Sequence, residues 1–196
     1  MFETLVSFGL LGVFAIATLE RVLPVVPSYV LFALIGVMAA EQGGFAANLM
    51  VAILGSFFGG TLLYSLGYLV PPDRSTSIAI WVGRSMGGKP ESIQKWLGRI
   101  ERKGATLVGI TQIVPTIRLL SPFFAGFFRA RFLSVSLALA LGTSVWVSLL
   151  VSAAWIGALY MPDSNPLSIT LWVTFALLTV EVLAGIIWYL ARKVLE

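Results

Sequence analysis

The chain has 196 residues, of which 58% are hydrophobic and only 11% charged, against roughly 45–50% apolar and about 25% charged in soluble domains. With a mean hydropathy of +0.96 it holds more apolar surface than a water-soluble core of this length could hide, and that excludes an ordinary soluble enzyme or nucleic-acid module. Cysteine and histidine are both absent, which removes disulfides, thiolate nucleophiles, imidazole proton relays and His-based metal sites.

At about 20 apolar residues per crossing, the composition allows about four spans and some shorter apolar pieces within a single membrane domain, residues 1–196. The formal net charge of +4 falls in one loop and at segment ends. Topology and lipid headgroups explain that placement better than nucleic acid does.

In chain order, Met1-Phe2-Glu3-Thr4 lacks the cationic start of a cleavable signal, so the first apolar segment, Leu5 to Leu19, is expected to be retained as a short or tilted span ending at Glu20-Arg21. Pro24 and Pro27 then deny a continuous helix, and the apolar stretch from Tyr29 to Ala40 is too short to cross. Residues 20–41 therefore read as a re-entrant hairpin. Phe45 to Val70 is a full span whose Gly55, Gly59, Gly60 and Gly67 allow close helix approach.

Pro71-Pro72-Asp73 opens a loop, residues 71–104, in which Arg74, Arg84, Lys89, Lys95, Arg99, Arg102 and Lys103 outweigh Asp73, Glu91 and Glu101. The positive-inside rule places it in the cytoplasm. Ile93, Trp96, Leu97 and Ile100 recur with helical period opposite Lys95, Arg99 and Arg102, which predicts an amphipathic helix on the membrane surface after Pro90. Trp96, Lys95 and Arg99 are its candidate headgroup contacts.

A second interrupted piece, residues 105–128, carries Pro115, Arg118 and Pro122 and reads as a hairpin entering from the opposite face. Two further spans, about 132–159 and 167–190, return the C-terminus to the cytoplasm beside Arg192-Lys193. The expected fold is thus an all-α integral membrane bundle with two opposed re-entrant hairpins, the pattern of an inverted-repeat transporter.

Three charges in or at the ends of apolar segments stand out. Arg118 inside an apolar segment costs about 2.5–3.5 kcal/mol at mid-membrane and needs compensation. Its planar fork suits phosphate oxygens, while the structural alternatives are a partner for Glu20, a cap for the hairpin's free carbonyls, or snorkelling to the interface. Glu20 is a candidate proton- or cation-coupling site, with an interfacial pair to Arg21 as the plainer alternative. Glu181, midway along the last span, is a second coupling candidate or a hydrogen-bond partner for a residue such as Gln112.

The stretch from Glu20 through Pro24 and Pro27-Ser28 to Gly36, the span with Gly55, Gly59, Tyr64 and Gly67, and Val114-Pro115-Thr116-Ile117-Arg118 followed by Ala125-Gly126 together resemble the DedA (VTT domain, SNARE-associated Golgi) family. Gly142, Trp146 and Gly157 fit the span that follows. The resemblance implies opposed hairpins and translocation of undecaprenyl phosphate or a phospholipid. Arg118 and Glu20 would then shape the substrate site with Gln112, Pro115, Pro24, Pro27 and Ser28.

Tyr29, Gly60 and Gln112 stand where the family usually has acid, acid and arginine, which predicts only weak dependence of transport on a proton gradient. A flippase or scramblase in the bacterial cytoplasmic membrane is the expected function. A proton- or cation-coupled solute transporter and a non-transporting scaffold are the rivals. No enzyme activity, cofactor or metal is expected, because no nucleophile, base and metal constellation is present. Anionic, phosphate-bearing membrane lipids are the expected partners, with a homo-oligomer left open.

The charge asymmetry is testable in a chain without cysteines. Ser92→Cys should resist an impermeant maleimide in intact cells and react in inverted vesicles, and labelling from outside intact cells would reverse the orientation.

Overall fold

The structure is a computed structural model, and it describes residues 9–22, 27–74, 77, 80, 104, 106, 108–109, 111, 115–161, 165 and 167–179. Regular structure among the described residues is entirely helical. The main elements are α1 (Leu10–Val22), α2 (Ser28–Gln42), α3 (Phe45–Tyr68), α4 (Pro115–Phe127), α5 (Phe132–Tyr160) and α6 (Leu167–Thr179). Lys95, Trp96 and Arg99 with their amphipathic helix, as well as Pro24, Gln112 and Glu181, lie outside the described residues.

Two helices, α3 with 24 residues and α5 with 29, are long and apolar enough to cross a membrane. At 1.5 Å per residue each exceeds the roughly 30 Å of a hydrocarbon core. Their outward faces are apolar rather than polar. On α5, Leu133, Leu137, Leu141, Val145 and Leu149 form an exposed stripe at every fourth residue, and on α3 Met50, Leu54, Phe58, Leu62 and Leu66 do the same. A helix with such a stripe in water would aggregate, whereas in lipid the stripe is at home.

The inward faces follow the helical period. On α1 the buried set is Gly12, Val13, Ile16, Ala17, Glu20 and Arg21, so the same stripe that carries the apolar core brings the acid and the arginine inside one turn later. Glu20-Arg21 falls in the last turn of the helix, as expected, but both side chains are buried within the protein. The helix continues to Val22, because the nearest break comes only with the proline pair and the residue type at 20 and 21 favours helix.

α1 packs chiefly on α3, α2 on α5, and α4 on α3. The α1–α3 contact depends on glycine. A β-carbon at Gly59 would sit 2.6 Å from the Thr18 carbonyl oxygen and 2.8 Å from Arg21 Cβ, and one at Gly55 would sit 2.6 Å from the Phe14 carbonyl oxygen. The helices are close enough for the Thr18 hydroxyl to bond the Gly55 carbonyl across the interface at 3.0 Å. Gly67 and Gly126 make the α3–α4 contact in the same way, each facing backbone of the other helix.

Pro122 was expected to interrupt the second hairpin, yet it lies inside α4. A helical proline leaves the carbonyl four residues earlier without its usual donor. Here that carbonyl belongs to Arg118, and it is served from outside the backbone ladder, by the Ser121 hydroxyl at 3.2 Å and by Arg21 Nη1 at 3.3 Å.

Gly59→Val should therefore separate α1 from α3 and cost about 1–3 kcal/mol as an overpacked site, read as a lower melting temperature in detergent. Gly109, whose added β-carbon would meet Ala138 Cβ at an ordinary 3.8 Å, should tolerate alanine without loss.

Candidate functional site

Five elements converge on one buried polar cluster. Glu20 and Arg21 come from the last turn of α1, Ser28 from the start of α2, Ser56 from α3, Arg118 from α4 and Thr143 from α5. All six are buried, and Arg21 and Arg118 are 1% and 0% exposed, so neither guanidinium snorkels to an interface.

Arg118 Nη2 donates to Glu20 Oε1 at 2.5 Å and to Ser28 Oγ at 2.6 Å. The Ser28 hydroxyl in turn donates to the same Glu20 oxygen. The three groups form a closed triangle between the first turn of α2, the end of α1 and α4. Charge-assisted bonds of this kind are about twice as strong as neutral ones, and at low dielectric they hold the geometry firmly. The Arg118 guanidinium also lies over the indole of Trp146, with Cζ 4.8 Å from the ring centroid, and Trp146 meets Tyr29 edge-on at 5.3 Å. Tyr29, in a position where the family resemblance implies an acid, thus supplies an aromatic wall.

Arg21 serves a different purpose. Its Nε donates to Ser56 Oγ at 2.8 Å, Nη2 to Thr143 Oγ1 at 3.1 Å and Nη1 to the Arg118 carbonyl at 3.3 Å. Its separation from Glu20 Oε2 is 3.9 Å, which makes that contact coulombic, since the Nε–H is already spent on Ser56. One side chain from α1 therefore ties α3, α4 and α5 together.

Of the residues expected at the site, Glu20, Ser28 and Arg118 are brought into direct contact. Pro27 lies just before α2 and is exposed, its carbonyl receiving the Val30 and Leu31 amides, so its part is to start the helix rather than to line the cluster. Pro115 opens α4, as suits a residue without an N–H.

Ser56 and Thr143 were not singled out from sequence, and Arg21 was named only as an alternative partner for Glu20. The signal was present in the register: each stands on the buried stripe of its helix, Ser56 between Gly55 and Gly59 and Thr143 between Leu139 and Trp146. A groove of about 380 Å³ between α5 and α6, lined by residues such as Gly157, Ile169 and Trp172, is apolar and separate from this cluster.

A family model described as the VTT domain matches residues 23–156. An alkaline phosphatase-like protein of Lactococcus lactis subsp. cremoris (strain MG1363) is 28% identical over 148 residues, covering 74% of this chain and 69% of the relative. Undecaprenyl phosphate transporter A of Staphylococcus aureus (strain NCTC 8325 / PS 47) is 26% identical over 145 residues, covering 74% of this chain and 71% of its own length. No solved structure matches the chain.

The Arg21 tie is open to a double-mutant cycle. Thr143→Val removes an acceptor of a buried charge and should cost about 1–3 kcal/mol. Combined with Arg21→Met, its cost should fall short of the sum by about 0.5–3 kcal/mol. Strict additivity in unfolding measurements would show that the two side chains do not interact.

Proposed function

Because the chain belongs to the VTT-domain (DedA) family, we propose that it is a membrane transporter that moves a phosphate-bearing lipid, such as undecaprenyl phosphate or a phospholipid, across the bacterial cytoplasmic membrane. The observation that carries the reading is the Glu20–Ser28–Arg118 triangle. A guanidinium fork is buried among apolar helices where two proline-containing segments meet, and it is held by groups short enough to leave the fork in place when a ligand arrives.

The steps are electrostatic. In hydrocarbon a phosphate headgroup is as costly as any buried charge, and a preplaced guanidinium offsets that cost by replacing water donors with fixed ones. Glu20 holds Arg118 oriented before substrate arrives, and it competes with phosphate for the same donors. Exchange of carboxylate for phosphate as Arg118's partner gives a site that binds and also releases, as transport requires. The S. aureus relative named as an undecaprenyl phosphate transporter supports the lipid class.

In this reading the segments around Pro24 and Pro115 are opposed re-entrant hairpins, with the 71–104 loop and the C-terminus in the cytoplasm. Pro24, Gln112 and Pro115 complete the substrate site, and the basic residues Lys95 and Arg99 with Trp96 hold headgroups at the surface. Glu181 is a second coupling acid, and the protein acts as a transporter rather than an enzyme.

Arg118→Lys separates charge from shape. The variant should fold, yet lose about tenfold to a hundredfold of lipid translocation in proteoliposomes, the equivalent of one charge-assisted bond of about 1.5–3 kcal/mol. Removing both charges, with Glu20→Gln and Arg118→Gln together, should keep the melting temperature near wild type without restoring transport. Full translocation by a folded Arg118→Lys protein would eliminate the headgroup role.

A further inference from the structure

A donor of Trp146 and an acceptor of Glu20 are buried in the cluster without a hydrogen-bond partner among the described residues. They are the indole Nε1 of Trp146, a residue 8% exposed, and Glu20 Oε2. Glu20 Oε1 accepts twice, and the hydroxyls of Ser28, Ser56 and Thr143 are all engaged within the cluster. An orphaned buried donor or acceptor costs about 1–3 kcal/mol, and native proteins keep few of them without a reason. Here the donor and the acceptor belong to two residues that both contact one guanidinium. Arg118 bonds Glu20 and lies over the Trp146 ring.

We propose that Trp146 is a headgroup-contacting residue, its indole N–H and the second oxygen of Glu20 forming a donor–acceptor pair that takes a phosphate bearing an O–H. The indole N–H donates to a phosphate oxygen, and Glu20 Oε2 accepts from the phosphate hydroxyl. A phosphate monoester in its monoanionic form offers both groups, whereas a diester offers no O–H and leaves Glu20 Oε2 without a donor. Sites that hydrogen-bond a substrate group reject analogues lacking it, because the protein's own group is then left unpaired. Trp146 thereby becomes a specificity residue beside Arg118, and the proposal rests on the phosphate-lipid reading above.

Tyr29 supplies the competing account, since its ring meets Trp146 edge-on at 72° and an indole N–H directed at an aromatic face is a purely structural contact. The two accounts diverge for Trp146→Phe. Phenylalanine keeps an aromatic ring against Arg118 and Tyr29 and deletes only the N–H and some volume.

The full-length protein in detergent would be titrated with farnesyl monophosphate, with short-chain phosphatidylmethanol as a hydroxyl-free diester, and with inorganic phosphate. Melting temperature would be followed in parallel. Wild type should bind the monoester about tenfold or more tightly than the diester. Trp146→Phe should weaken monoester binding about tenfold, the equivalent of about 1.4 kcal/mol, with an unchanged or higher melting temperature because an orphaned donor is gone.

Equal monoester binding by wild type and Trp146→Phe, or a fall only in melting temperature, overturns the assignment and returns Trp146 to a structural role. Diester binding as tight as monoester overturns the donor–acceptor pair. Inorganic phosphate binding as tightly as farnesyl monophosphate would identify free phosphate as the source and overturn a lipid ligand. A wild-type protein that binds none of the three removes the phosphate reading itself, an outcome distinct from loss in the variant alone.

Discussion

The cost of holding two guanidiniums and a carboxylate away from water governs the arrangement of this bundle. Each such group loses several kcal/mol of hydration, and only near neighbours with matching donors and acceptors return it. Glu20 and Arg118, 98 residues apart in sequence, must therefore meet, and Ser28 must stand between them. Arg21 must likewise find Ser56 and Thr143. Apolar packing alone would let the helices slide or rotate against one another with little penalty, because lipid tails and leucine side chains are alike in polarity. The polar cluster removes that freedom by fixing one register for α1, α2, α3, α4 and α5.

Close packing makes the cluster reachable. Arg21 can span to Ser56 because Gly55 and Gly59 let α1 and α3 approach until backbone nearly touches backbone. Pro122 adds an acceptor by freeing the Arg118 carbonyl. A proline that a helix tolerates and glycines that shorten an interhelical distance thus act on the same few ångströms of space. At the other end of α4, Arg129 adopts a left-handed backbone conformation, with φ of 59°, that turns the chain into α5. There its side chain bonds the Val70 carbonyl at 2.8 Å and lies over Tyr68, while the Tyr64 hydroxyl bonds the Ala130 carbonyl at 2.6 Å. The turn after α4 is anchored to the end of α3, so Arg118 approaches Glu20 on a helix held at its far end.

On the proposed function, such a site must be firm enough to recognise a headgroup and weak enough to give it up. A carboxylate that already occupies the cation answers both needs. It orients the guanidinium in the structure, and in the proposed cycle it would take the guanidinium back when the headgroup leaves. The exposed apolar stripes on α3 and α5 set this chemistry in the only solvent where it has value, one in which an unassisted phosphate has no other hydration to draw on.

Composition and hydropathy by themselves settled that the chain is helical and apolar beyond what water tolerates, because span length and backbone satisfaction in lipid leave few alternatives. The run from Phe45 and the run from Phe132 were legible as α3 and α5 almost to the residue, since long uninterrupted apolar segments carry their own boundaries. Glu20 and Arg118 were legible as well, because a charge in such a segment is conspicuous. Their pairing with Ser28 was not, nor was the interhelical role of Arg21. Helical register marks which face a residue occupies, but whether that face meets lipid, water or another helix depends on how distant segments pack. Only the tertiary structure decided that Arg21, Ser56 and Thr143 share one space and that Pro122 frees a carbonyl for use there. The physical reason is that hydrogen bonds between helices depend on separations of a few ångströms, fixed by glycine contacts far apart in the chain, and no local pattern records those distances.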